Sequence, residues 1–375
     1  MSSGIAGRVA IGIALGAVLV AGSACARFDE SASSPFTTEP SIGGAAPKKP
    51  DESPQQAPPR PTGPCIDPDP MVVGTCLDSA GGLVGTGNGA YVAERRTGRI
   101  VEVTAVDEST PQPAPVEIAS IPVDAAGDGG LSDIALSPSF AEDGLMYAYV
   151  TTPSDNRVVR ISKGGTAKPI LTGIPKGANG NRGALEWISP TQLMILTGDA
   201  GNPSAATDPG SLGGKVLKLE NPSSGTNTPT VVASGIGTAG DICRDAKDGM
   251  WVTDRTAAED RIQHLSADGT LSVAWTWPDK PGVGGCAATG DGVGVALSEG
   301  KALAALAADP TTFAVTTAPT LMSQDKYGKL LGATPGADGS IWVTTINKTD
   351  GAPGEFDDRV VRIPPPGGGG GEGHD

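Results

Sequence analysis

The chain has 375 residues, of which 55 are Gly and 33 Pro, and a formal charge of -15. So much Gly and Pro excludes a mainly helical protein, and an apolar fraction of 38% excludes disorder through the whole length. The acidic balance argues against nucleic acid, which needs clustered Lys and Arg, and against adhesion of a folded domain to anionic lipid.

The first 24 residues read as a targeting segment. Arg8 is the only charge before an apolar or small run from Val9 to Ala24, too short for a comfortable membrane span and fitting a signal-peptide core. The run ends in Gly22-Ser23-Ala24-Cys25, small residues before a cysteine, as in the lipobox of bacterial lipoproteins, with Gly22 where Leu is usual. Cleavage before Cys25 and a lipid on its sulfur would tie the chain to the membrane, facing the envelope or extracellular side. Residues 25–64 are rich in Ser, Pro, Thr, Gln and Lys and read as a tether. Residues 364–375, with five successive glycines, are disordered by composition.

Four cysteines follow Cys25: Cys65, Cys76, Cys243 and Cys286. An even number in an exported chain suggests two disulfides, and three pairings are possible. Cys65 with Cys76 is favoured because they are close and flank a turn. Cys243 and Cys286 hold nearly the same place in consecutive repeats, which neighbouring units could bring together. No Cys-x-x-Cys pair supports a zinc or redox site.

Between residues 65 and 363 the same pattern occurs six times, beginning near Gly82, Gly130, Gly183, Gly240, Gly285 and Lys329. Each repeat has a glycine-rich start, a short apolar run, a turn, a second apolar run and a polar end. The second runs include Tyr91-Val92-Ala93, Met146 to Val150, Met250 to Thr253 and Ser340 to Thr344. Short β-branched or aromatic runs bounded by Gly, Pro, Asn and Asp are strands. Repeats of this length mean propeller blades or solenoids, and one four-stranded blade cannot bury both of its faces alone. The predicted fold is all-β, a six-bladed propeller of four-stranded antiparallel blades. With 4% aromatics, its core must be Val, Ile, Leu and Ala.

Three segments carry a family resemblance. They are Gly127 to Pro138, then Leu196 to Pro203 continuing through Asp208-Pro209 and Ser211 to Leu217, and finally Tyr327 to Leu331 with Gly336 to Gly339 and Asp358 to Arg362. Together they resemble the quinoprotein glucose/sorbosone dehydrogenases, whose fold is also a six-bladed propeller. The resemblance implies pyrroloquinoline quinone (PQQ) and calcium at the channel mouth, and a histidine that takes the hydroxyl proton as hydride leaves the sugar. An imidazole suits that role near neutral pH. The histidine position falls on Gly180. His374 is in the tail, and His264 reads as an ordinary strand residue of another blade. The family's Arg-Asn pair in the fourth blade is also missing from Gly235 to Thr238. The Gly-Pro whose carbonyls hold calcium is matched by Thr256-Ala257. Of two arginines at the start of the last blade, one is Lys329 and one Leu331.

Placing each repeat's first loop and mid-blade loop at one end of the ring predicts a mouth lined by Asp128, Asn179, Arg182, Asp199, Asp241, Arg255 and Lys329. Asp199 also reads as a turn-capping residue. Asp254, Glu259 and Asp260 bracket a loop and are candidates for a carboxylate calcium site. Asn347-Lys348-Thr349 has the form of a glycosylation triplet. Two readings follow. One is a monomeric envelope lipoprotein that binds a glycan-like ligand or an envelope protein, with no catalytic residue and no cofactor assigned. The other is an active PQQ-dependent sugar or polyol dehydrogenase with an altered site. Joint loss of the base and most of the cofactor's cations favours the first.

Overall fold

The computed structural model describes residues 60–365, apart from 226, 245–248 and 290–291. The expected signal peptide, Cys25, the tether as far as residue 59, His374 and most of the Gly-rich tail lie outside the described residues.

A short strand, β1 (Val72–Gly74), precedes the first blade. Blade 1 comprises β2 (Ala80–Gly85), β3 (Gly89–Glu94), β4 (Arg99–Thr104) and β5 (Val116–Ser120). Blade 2 comprises β6 (Leu131–Leu136), β7 (Leu145–Thr151), β8 (Asn156–Ser162) and β9 (Lys168–Ile174). Blade 3 is β10 (Gly183–Ser189), β11 (Gln192–Thr197), β12 (Lys215–Glu220) and β13 (Thr230–Ser234). Blade 4 is β14 (Ala239–Arg244), β15 (Met250–Arg255), β16 (Asp260–Leu265) and β17 (Leu271–Trp277). Blade 5 is β18 (Val283–Thr289), β19 (Gly292–Leu297), β20 (Ala302–Ala307) and β21 (Thr320–Met322). Blade 6 has β22 (Leu330–Pro335), β23 (Ile341–Thr345) and β24 (Val360–Ile363), and takes β1 as its fourth strand. All pairs are antiparallel. The repeats predict six blades, but not that the last one is completed by the start of the domain.

Burial explains the pattern of the runs. The second strand of a blade lies between two neighbouring sheets, so β15 and β23 are almost wholly buried and read as continuous apolar runs. The outermost strands, such as β5, are exposed over much of their length, Val116 among them. Six apolar clusters, one at each blade-to-blade interface, form the core of the described residues. The cluster between blades 1 and 2 joins Ile100 and Ala93 to Leu131, Met146 and Ala148. That between blades 6 and 1 joins Trp342 and Val360 to Val92 and Val101.

The seam is closed by more than β1. The Ser79 amide donates to Asp358 Oδ2 at 2.9 Å, and Lys348 Nζ donates to the Leu77 carbonyl at 2.8 Å. Arg60 corrects the predicted tether boundary. It is buried, its Nη1 donating to the Asp69 and Val72 carbonyls, so contacts with the propeller begin ahead of Cys65. Both predicted disulfides are present, Cys65–Cys76 beside the seam and Cys243–Cys286 between β14 and β18.

Candidate functional site: the channel and its mouth

The six inner strands, β2, β6, β10, β14, β18 and β22, surround a central cavity of about 560 Å³. Glycines bring these strands close. A Cβ on Gly82 would lie 1.9 Å from Asp133 Oδ1, and one on Gly332 would lie 2.4 Å from the Gly81 carbonyl. The register is broken near the start of β2, β6, β18 and β22, bulges that re-aim the side chains that follow.

Among the described residues, three carboxyls line the cavity: Asp133 on β6, Glu186 on β10 and Asp241 on β14. Asp133 Oδ2 accepts from the Leu185 amide at 2.8 Å, joining blade 2 to blade 3. Asp241 repeats the device two blades on. Its Oδ2 accepts from the Cys286 amide at 2.8 Å, and its Oδ1 from the Ile242 amide. The ring encloses all three although their surfaces open onto the channel. Burial, then Asp241, pushes Asp133 well above the usual carboxylate range. Burial pushes Asp241 up to about 7. Burial and Asp241 push Glu186 up to about 8, against the pull of Arg244. Burial thus favours the protonated form of all three, in which a carboxyl both donates and accepts hydrogen bonds.

The mouth is the end where the inner strands begin. Contacts there join the loops between blades to the turns that follow the second strands. Arg95, just after β3, donates through Nη1 to the Gly129 carbonyl at 2.6 Å and to the Gly127 carbonyl at 3.2 Å. Asp128 is the anchor of the next loop. Its Oδ2 accepts from the Gly180 amide at 2.8 Å, and its Oδ1 accepts from Asn181 Nδ2 at 2.9 Å. Asn181 is fully buried and also bonds Gly177 and Asn156. Asp128 therefore shapes the loop that carries Gly180, its oxygens already accepting from protein donors.

The structure places the remaining predicted residues as follows. Asp199 is buried and its Oδ1 caps the turn at the Gly201 amide, 2.8 Å away; burial raises its pKa. Asn179 is exposed on the rim, with its Oδ1 against Gly201. Arg255 donates to the Val283 and Gly282 carbonyls, and burial and then Arg182 push it down to about 10. Lys329 Nζ pairs with Glu299 at 2.9 Å. Arg182 lines the cavity itself. Asp241 does too, but from the third position of an inner strand, so it belongs to the depth of the channel and not to the mouth.

The calcium candidates do not come together. Asp254 Oδ2 takes both Nε and Nη2 of Arg261, and its Oδ1 takes the Gly237 amide. Asp260 Oδ2 accepts from the Gly282 and Val283 amides. Glu259 lies in the turn between them, where the Thr256 amide donates to its carbonyl. Among the described residues no group of three or more His, Cys, Asp or Glu could hold a metal ion. Asn347 is buried, its side chain bonded to the Lys329 amide and the Tyr327 carbonyl, so it offers no glycosylation site. His264 is buried in blade 4, stacked on Phe313 with ring centroids 3.5 Å apart.

Gly180 itself has φ +71, a backbone conformation that side chains rarely adopt. A Cβ there would lie 2.5 Å from the Gly201 amide nitrogen and 2.7 Å from Asp199 Oδ1. The position leaves no room for an imidazole.

Sequence reasoning missed Arg95, Asp133 and Glu186. Arg95 follows its blade's second strand as Arg255 ends its own, so the repeat could have found it. Asp133 and Glu186 are charges inside otherwise apolar or glycine-rich inner runs, as Asp241 is.

A family model described as Glucose / Sorbosone dehydrogenase matches residues 78–239. No curated protein matches the chain. Among solved structures, the PQQ-bound aldose sugar dehydrogenase from Streptomyces coelicolor is 27% identical, with 78% of this chain and 96% of that chain covered and a TM-score of 0.69. A putative glucose dehydrogenase from Thermus thermophilus is 24% identical over 78% of this chain and 98% of that chain, with a TM-score of 0.65. The soluble aldose sugar dehydrogenase from Escherichia coli is 17% identical over 78% and 99%, with a TM-score of 0.64. The last two likenesses are of fold alone. The chain is thus a six-bladed β-propeller like those of the quinoprotein sugar dehydrogenases.

Proposed function

We propose that the chain is a cell-envelope binding module, in which a sugar-dehydrogenase-like propeller holds a ligand or partner without turning it over. The observation that carries this reading is Gly180. The position of the family's base is a positive-φ glycine packed against Gly201, Asp199 and Ala200. General-base catalysis contributes typically about 10²–10⁴-fold, so its loss alone leaves a poor dehydrogenase. The other residues fit PQQ with calcium no better. The Ala257 carbonyl, at the family's calcium position, accepts from Lys280 Nζ at 3.1 Å. Arg255 and Lys329 are already engaged by protein acceptors.

A second reading, an active PQQ-dependent sugar or polyol dehydrogenase with an altered site, draws on the 27% identity to the PQQ-bound Streptomyces enzyme. One experiment separates them. The protein is titrated with PQQ and calcium, followed by its absorbance, and assayed for dye-linked oxidation of aldoses and polyols. No turnover supports the binding module, whereas turnover at rates typical of dehydrogenases restores the enzyme.

The same proposal places the protein on the outer face of the membrane through a lipid on Cys25, as a monomer, with the propeller held away by the tether. Cys25→Ala is expected to leave the precursor uncut or to release the protein from the membrane fraction. Normal maturation with retention on the membrane would remove the lipid from this account.

A further inference from the structure

Among the described residues, four polar groups on cavity-lining side chains lack a hydrogen-bond partner: Arg95 Nε, Ser132 Oγ, Trp187 Nε1 and Trp342 Nε1. Arg95 is 3% exposed. A buried donor without an acceptor is costly, so such a lining is suited to a ligand rich in acceptors. Its charges are also sorted. Arg95 and Arg182 stand at the end where the inner strands begin, and the three carboxyls stand further along the channel, with Arg244 beyond them beside Glu186.

We propose that this channel recognises a sugar bearing an anionic group, with the anion on Arg95 and Arg182 and the hydroxyls against Asp133, Glu186 and Asp241. The inference rests on the reading of the mouth as a binding site. Arg182 repels both Arg95 and Arg255, Asp128 attracts both, and an anion placed among the arginines adds to that attraction. Burial favours the protonated form of these carboxyls, which does not repel the anion. Each can give one hydrogen bond and take others, as a sugar hydroxyl does. The volume, about 560 Å³, lies within the usual range for small-ligand sites, roughly 300–1,000 Å³. A neutral sugar would leave the repulsion among the arginines in place, and a bare anion would leave the deeper lining without a ligand. The anionic group is a carboxylate or a phosphate, chemistries that a guanidinium fork meets equally well.

The test uses the full chain purified in detergent, with binding read by calorimetry and by tryptophan fluorescence, since Trp187 and Trp342 line the cavity. The probes are D-glucuronate, glucose 6-phosphate, glucose and inorganic phosphate. The expected result is that one anionic sugar binds at least about tenfold tighter than both glucose and inorganic phosphate, as loss of a charge-assisted pair implies. The tighter of the two identifies the anion. Arg182→Gln should remove that advantage, while Arg182→Lys retains part of it. Equal binding of glucose, equal binding of inorganic phosphate, no binding of either anionic sugar, or an unaffected Arg182→Gln variant would each overturn the proposal. PQQ-dependent oxidation of a tightly bound anionic sugar would defeat the non-catalytic reading and leave this inference standing. Absence of both binding and turnover would do the reverse.

Discussion

Glu186 offers the most direct test of the channel's electrostatics. Its carboxyl is raised from 4.5 to about 8, first by burial and then by Asp241. The folded chain therefore holds a proton that the unfolded chain has released above pH 5. Stability is greatest below the unfolded value and is lost as pH rises toward the folded one. Each tenfold change in proton affinity is about 1.4 kcal/mol, so the folded state loses about 3 kcal/mol through Glu186 between pH 5 and pH 8. For a domain of this size that is roughly 5 °C in Tm. Glu186→Gln keeps the shape and cannot ionise. The variant should melt near the parent at pH 5 and well above it at pH 8, as followed by circular dichroism at unit pH steps. Asp241, raised to about 7, leaves a residual slope at lower pH in both proteins. A parent chain as stable at pH 8 as at pH 5, or a variant with the parent's slope, would refute the reasoning.

Three further outcomes are expected. Lys215 is fully buried, with Nζ donating to the Ala205, Ala206 and Gly213 carbonyls, so Lys215→Met should cost about 1–3 kcal/mol in chemical denaturation. Replacing Cys243 and Cys286 together by Ala opens a link spanning 43 residues and should cost about 4 kcal/mol, read from urea denaturation with the slope fitted for each protein. Gly180→His should destabilise by about 1–3 kcal/mol through its positive φ and its contact with the turn at Gly201, and should not create dye-linked sugar oxidation.

How far the sequence could be read depended on what repeats. The blades were legible because each second strand, as in Met250 to Thr253, is buried on both sides and so becomes an apolar run. The mouth was only partly legible. Asp128 and Asp199 were found by position, yet both spend their oxygens on loop amides, which no spacing rule shows. The channel carboxyls were hard to find for a different reason. Asp133 needs the missing side chain of Gly82 on the neighbouring blade and the Leu185 amide on the next. Those contacts join residues about 50 apart in sequence, beyond the reach of local pattern.

The seam between β1 and β24 also sets an order of events during synthesis. Ser79 and Asp358 are 279 residues apart, so the first strand made must wait for the last. Each blade has mostly local contacts and can condense as it emerges, but the central channel exists only after the final strand arrives. A chain cut short before Val360 is therefore an open row of blades with two sticky ends, and no shorter fragment can report on what the channel binds.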